Sequence, residues 1–273
     1  MISEVLIIPD IHGRKFWKEA IDKFPKEDYP NLKIVLLGDY LDPYTGLEDI
    51  SPKDAYDNFL EVLEYINKDS RIIPLIGNHD WHYFVNLDSC RIDRARERSI
   101  EELFKKNMDK FRVTYTHEVN GDKYLFSHAG VTQNWLNDIA LMARYEIDHW
   151  NSGGVNPNTD ERFIWMSELQ LINESYNFEL LEKCLQNYDD NFYSCPLSMI
   201  SRDRGGWDAH GSCIWADICE HIYNEDLKGF FQIFAHTNTY PKFEAIIPDG
   251  RNWAMLDSAK AYILDAEGNI IKV

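Results

Sequence analysis

The chain has 273 residues, 44% hydrophobic and 27% charged, with 28 Lys and Arg against 46 Asp and Glu and a net charge of −18. That size and balance suit a protein with a sizeable core and exclude disordered and collagen-like classes. The acidic mean field disfavours a groove for long polyanions such as nucleic acid, yet leaves phosphorylated substrates open, because bound divalent cations can reverse the sign of a site.

Met1–Pro9 has no basic n-region and leads straight into a strand-like segment, so it is not read as a signal peptide. No apolar run approaches the roughly 18 residues that cross a bilayer. The five cysteines, Cys90, Cys184, Cys195, Cys213 and Cys219, form no C-x-x-C pair and read as small core residues in a reducing compartment. The expected setting is cytoplasmic, without a membrane partner.

In chain order, Glu4–Pro9, Lys33–Leu37 and Arg71–Ile76 are short runs rich in Ile, Val and Leu, which predicts parallel strands buried on both faces. Lys15–Phe24 and Pro52–Asn67 show apolar residues at helical spacing, and Ser51 before Pro52 supplies a cap, giving a βαβαβ order. The run Arg91–Arg98 alternates in sign and reads as a solvated helix face that could also attract an anionic substrate. Thr114–Val119 and Lys123–Ser127 flank Asn120-Gly121, a tight hairpin that opens a second sheet. Residues 151–158 form a turn-rich break, Glu161–Tyr188 looks helical and Ser194–Gly211 reads as loop. Tyr145–Gly229 is expected to be an insertion beside the active site, inside one catalytic domain spanning 1–273. Phe230–Ala235, Lys242–Ile247, Asn252–Leu256 and Ala261–Asp265 are predicted as a terminal antiparallel meander.

Five polar clusters fall at or near predicted strand ends: Asp10-Ile-His12-Gly13, Gly38-Asp39-Tyr-Leu-Asp42, Gly77-Asn78-His79-Asp80, Ser127-His128-Ala-Gly130 and Ala235-His236-Thr237. Open α/β sheets put ligand-binding loops there. Carboxylates, imidazoles and an amide are good ligands for hard or borderline divalent ions. The spacing of Asp10 and His12 on an extended segment lets both reach one ion. The two oxygens of Asp39 could hold two ions ~3.5–4 Å apart, with a hydroxide between them as nucleophile.

Together these clusters resemble the signature of the calcineurin-like metallophosphoesterase superfamily: D-x-H, G-D-x-x-D, G-N-H-D/E, H and G-H. Asn238 stands where nuclease-like branches carry a second histidine in G-H-x-H. Ala235-His236-Thr237 and His128-Ala-Gly130 are similar to the phosphoprotein phosphatase branch, which includes Ser/Thr phosphatases and diadenosine tetraphosphatases. The resemblance implies a two-sheet β-sandwich flanked by helices in the α/β class. It implies Asp10, His12 and Asp39 on one divalent ion and Asp39, Asn78, His128 and His236 on a second. Manganese is the expected metal, and iron, zinc or nickel would also fit. His79 is then the general acid, oriented by Asp42.

The implied reaction is hydrolysis of a phosphomonoester, with a phosphoprotein as first substrate class and a nucleotide or small molecule as another. Gly77-Asn-His-Asp-Trp-His82 is also similar to the diadenosine tetraphosphatase motif, so a nucleotide pyrophosphohydrolase is the alternative, and a non-catalytic binding module a third reading. In one place the pattern breaks: Pro43 replaces the arginine that clamps phosphate in the branch. Arg14, Arg202 and Arg204 are the candidates to replace it.

Overall fold

The computed structural model describes residues 3–44, 46, 48–85, 91–153, 161–186, 195–239, 242 and 244–273. The chain opens with three parallel strands, β1 (Ser3–Ile8), β2 (Lys33–Leu36) and β3 (Ile72–Pro74). Helix α1 (Phe16–Asp22) follows β1, and α2 (Pro52–Lys68) follows β2. Ser51 caps α2: its hydroxyl accepts from the Asp54 N–H, and the Asp54 carboxylate accepts from the Ser51 N–H.

A second sheet starts with the antiparallel hairpin β4 (Tyr115–Val119) and β5 (Asp122–Phe126), turning at Asn120-Gly121 with both residues at positive φ. It continues through β6 (Phe231–Phe234) and β7 (Trp253–Met255). Then β8 (Tyr262–Asp265) returns to the first sheet beside β1, with β9 (Ile270–Lys272) outside it.

Alternation along β1 joins the layers. Val5 and Ile7 point between the sheets with Phe126, Ile233 and Ala254, while Leu6 and Ile8 point to the helical side with Trp17, Phe59 and Trp135. The strand reads as a continuous apolar run because both of its faces are covered. The α/β sandwich flanked by helices is therefore present.

The terminal meander is not. β5, β6 and β7 run parallel to one another, and β8 is antiparallel to β1 in the other sheet. Parallel neighbours need a long crossover, and residues 235–252 supply it between β6 and β7. Within the expected strand Lys242–Ile247, Ile246 makes only an isolated bridge to Met255, and residue 243 lies outside the described residues. β9 was not anticipated.

The helical side adds α3 (Asn78–Val85), α4 (Glu97–Lys106), α5 (Gln133–Gly153), α6 (Glu161–Leu169), α7 (Ile172–Ser175), α8 (Lys183–Gln186) and α9 (Ile218–Tyr223). α5 runs through Tyr145 and as far as Gly153, into the expected break; residues 154–158 of that break, 187–188 of the expected helix and 194 of the expected loop lie outside the described residues. The expected helix face at 91–98 is a turn until Glu97. Trp165, Met166, Leu169 and Leu181 join the same apolar cluster as the helices over β1–β3.

Candidate metal centre

Each sequence cluster emerges just beyond a strand. Asp10 and His12 follow β1, Asp39 and Asp42 follow β2, Asn78 and His79 open α3 after β3, His128 follows β5 and His236 follows β6. The parallel register of β1–β3 and of β5–β6 brings these ends to one edge of the sandwich. Asp10, His12, Asp39, Asp42, Asn78, His79, His128 and His236 are all buried.

Two donor groups form. Asp10, His12 and Asp39 make one, and Asp39, His128 and His236 the other. Asp39 Oδ2 lies 3.5 Å from His12 Nε2 on one side and 3.5 Å from His128 Nε2 on the other. Asn78 Oδ1 joins the second group, 3.0 Å from His128 Nε2 and 2.9 Å from His236 Nδ1. The sequence suggested that the two oxygens of Asp39 divide the work. Instead Oδ2 faces both groups, and Oδ1 accepts the His79 backbone N–H at 2.9 Å.

The rings are fixed from behind. His12 Nδ1 donates to the Leu41 carbonyl at 2.7 Å and His128 Nδ1 to that of Leu37 at 2.8 Å, which leaves both Nε2 lone pairs facing Asp39. Burial holds His12 and His236 well below the ordinary imidazole pKa, so both rings are neutral and able to donate lone pairs. Burial acts to raise Asp39, but its polar surroundings, the His79 backbone N–H among them, keep the carboxyl below its usual value; Asp10 is pushed up by burial and by Asp39. Asp10 Oδ2, His12 Nε2 and His236 Nε2 are buried with no hydrogen-bond partner. Such groups are costly unless something pairs with them. At Asp10 Oδ2 and His12 Nε2 a divalent cation fits that demand, because a carboxylate oxygen and the lone pair of a neutral imidazole are both metal ligands.

Asp80 holds the frame. Its Oδ2 accepts from the Asp39 and Gly77 N–H groups at 2.7 and 2.9 Å, and its Oδ1 from that of Tyr40 at 3.0 Å. Among the described residues seven non-glycines have positive φ, and four of them are His12, Asp39, Asp42 and His236. Strain is thus concentrated where donors are aimed. A Cβ on Gly77 would lie 2.2 Å from Asp39 Oδ1, so only glycine lets that carboxylate sit there.

Beside the donors, His79 Nδ1 lies 2.9 Å from Asp42 Oδ2. Among the arginines singled out in sequence, Arg14 is buried on Glu48 and Arg204 reaches Thr237 and Asp217, whereas Arg202 is exposed. Arg91 was missed as a site residue. Its Nη1 donates to the Asp42 carbonyl at 3.0 Å, its Nη2 to His79 Nε2, and its guanidinium lies 4.0 Å from the centre of the Tyr44 ring. The sequence signal was only a basic residue at the start of a mixed-charge run. Asp257 was missed as well: it is buried, its Oδ2 has no partner, and burial followed by Asp10 raises its pKa. His82 packs edge-on to Trp215 at 5.4 Å.

A family model described as calcineurin-like phosphoesterase matches residues 3–195. Among solved structures, the chain is similar to a protein serine/threonine phosphatase from Saccharomyces cerevisiae with similarity to human phosphatase PP5, at 13% identity over 100% of this chain and 79% of that chain, with a TM-score of 0.44. It is similar also to phosphopantetheinyl hydrolase from Mycobacterium tuberculosis, at 15% identity over 93% of this chain and 89% of that chain, with a TM-score of 0.33. No curated protein matches the chain.

Proposed function

Since the chain belongs to the calcineurin-like phosphoesterase family and is thereby a metal-dependent phosphoesterase, we propose that it hydrolyses phosphomonoesters at a two-ion centre. The observation that carries this reading is Asp39 Oδ2, set 3.5 Å from an imidazole of each donor group. Asp10, His12 and Asp39 hold one ion; Asp39, Asn78, His128 and His236 hold the other. Bound divalent ions supply Lewis acidity toward phosphoryl oxygens and make water a stronger acid.

The chain's own residues do the rest. Burial excludes bulk water from the donors, and the Leu37 and Leu41 carbonyls keep the rings of His128 and His12 from turning. Asp42 fixes the His79 ring through Nδ1, so Nε2, which accepts from Arg91 in this structure, is the atom that takes up a proton from water and delivers it to the leaving oxygen. A phosphoprotein is the proposed substrate class, manganese the proposed metal and the cytoplasm the proposed setting, with 1–273 acting as one catalytic domain that carries an insertion at about 145–229. Among the described residues no helix is long and apolar enough to cross a membrane.

The test is turnover of a generic aryl phosphate, phosphopeptides and dinucleoside polyphosphates by metal-stripped and manganese-reconstituted protein. Metal-dependent release of phosphate, lost in Asp39→Asn and His79→Ala, is expected. Full activity in stripped protein or in Asp39→Asn rejects the reading, and preference for dinucleoside polyphosphates moves the substrate class to nucleotides.

A further inference from the structure

Pro43 leaves the site without an arginine from the β2 loop, and the guanidiniums nearest the donors differ in how their charge is met. Arg14 Nε sits on both oxygens of Glu48, at 2.7 and 3.0 Å. Arg204 Nε lies 2.8 Å from Asp217 Oδ2. Both charges are already matched by carboxylates. Arg91 is held otherwise, by the Asp42 carbonyl, the His79 imidazole and the face of Tyr44. These are dipoles and a π face, and among the described residues no carboxylate forms an ion pair with it. Among the described residues the cation is positioned but not neutralised, and it touches the ring nitrogen proposed to protonate the leaving oxygen.

We propose that Arg91 grips the phosphoryl group of the substrate, supplying from the segment after α3 the cation that Pro43 cannot. This rests on the phosphoester-hydrolase reading above. The Asp42 carbonyl and the Tyr44 shelf keep Arg91 in register while Nη2 exchanges the His79 ring for phosphoryl oxygens. The exchange is favourable because a guanidinium bonds an anionic oxygen more strongly than a ring nitrogen that bears no negative charge. It also clears His79 Nε2 to face the leaving group. Asp42 therefore aims two groups at once, His79 through its carboxylate and Arg91 through its backbone. Tyr44 ties the arrangement to the first donor group, since its ring packs edge-on to His12 at 4.8 Å. A lysine offers charge at this position without the planar fork or the stacking surface.

The test uses the full chain loaded with manganese and titrated calorimetrically with inorganic phosphate, alongside KM and kcat for an aryl phosphate. Arg91→Ala is expected to weaken phosphate binding at least tenfold and to raise KM in step, with bound manganese and melting temperature unchanged. Arg91→Lys recovers part of the affinity, Tyr44→Leu loses several-fold, and Arg98→Ala, on an exposed side chain, changes neither quantity. Wild-type phosphate affinity in Arg91→Ala overturns the proposal, as does a loss that follows loss of manganese, or a wild-type protein that binds no phosphate. Turnover with unchanged phosphate affinity in Arg91→Ala sinks this inference and spares the hydrolase reading. Absent turnover with Arg91-dependent phosphate binding does the reverse.

Discussion

His79 Nδ1 faces Asp42 Oδ2 at 2.9 Å, and the Tyr83 hydroxyl donates to the other oxygen of that carboxylate at 2.6 Å. Asp42 is held so that only one orientation of the His79 ring satisfies it. Asp42→Asn is expected to lower kcat roughly 10- to 100-fold with little change in KM, because the amide no longer fixes one tautomer. Steady-state kinetics on an aryl phosphate check this. A change confined to KM would show that Asp42 acts on substrate binding alone.

Asp80 should matter more to folding than to chemistry. Removing its carboxylate strands the N–H groups of Asp39, Tyr40 and Gly77 in a buried site. Asp80→Ala is expected to cost about 3 kcal/mol or more in urea unfolding of the metal-free protein. A loss below about 1 kcal/mol would mean that other acceptors replace it.

At Gly77 the added methyl would collide with Asp39 Oδ1 and with the Asp39 backbone nitrogen, 2.6 Å away. Gly77→Ala is expected to weaken manganese binding at least tenfold while leaving the far-UV circular dichroism unchanged. Calorimetric titration with manganese measures it, and an unaltered affinity removes Asp39 from the centre.

Bound metal should stabilise the fold, since it satisfies Asp10 Oδ2 and His12 Nε2. At a free concentration 100 times the dissociation constant the gain is about 2.7 kcal/mol. Thermal unfolding with and without a chelator reads this directly. Asp39→Asn should abolish most of the shift, and a mutant shift equal to that of wild type would point to binding elsewhere.

Acid should weaken the fold through His221, whose buried ring donates from Nε2 to the Ala129 carbonyl at 3.0 Å and stacks on Phe234. Burial lowers its pKa from 6.5 to about 4. Between those values the unfolded chain takes up a proton that the folded one refuses. This contribution is intact above about pH 6.5 and is lost as pH falls toward 4, a total of roughly 3 kcal/mol. Urea melts of wild type and His221→Gln from pH 7.5 to 5 should converge on acidification; parallel curves would rule the ring out.

Local chemistry was legible where a few adjacent residues decide the outcome. Asp10-Ile-His12 and Gly77-Asn78-His79 announce strand-end donors, and the apolar run Val5–Ile8 announces a strand covered on both sides. What depends on distant partners was not. Nothing in Ala261–Asp265 says that it pairs with β1 in place of the nearer β7, because an apolar strand fits either neighbour. Arg91 looked like surface charge, since its partners Tyr44 and Asp42 lie almost fifty residues earlier. That only Oδ2 of Asp39 faces both donor groups follows from the His79 N–H claiming Oδ1, a bond that the start of α3 creates.

The interleaving of β8 between β1 and β9, with β6 alongside β5, also sets a timetable for biosynthesis. A nascent chain that has emerged as far as β5 has β1, which precedes Asp10, lacking one neighbour, and it has no His236. The second donor group therefore cannot be complete until translation has passed residue 236, whereas the residues of the first are all made by residue 39.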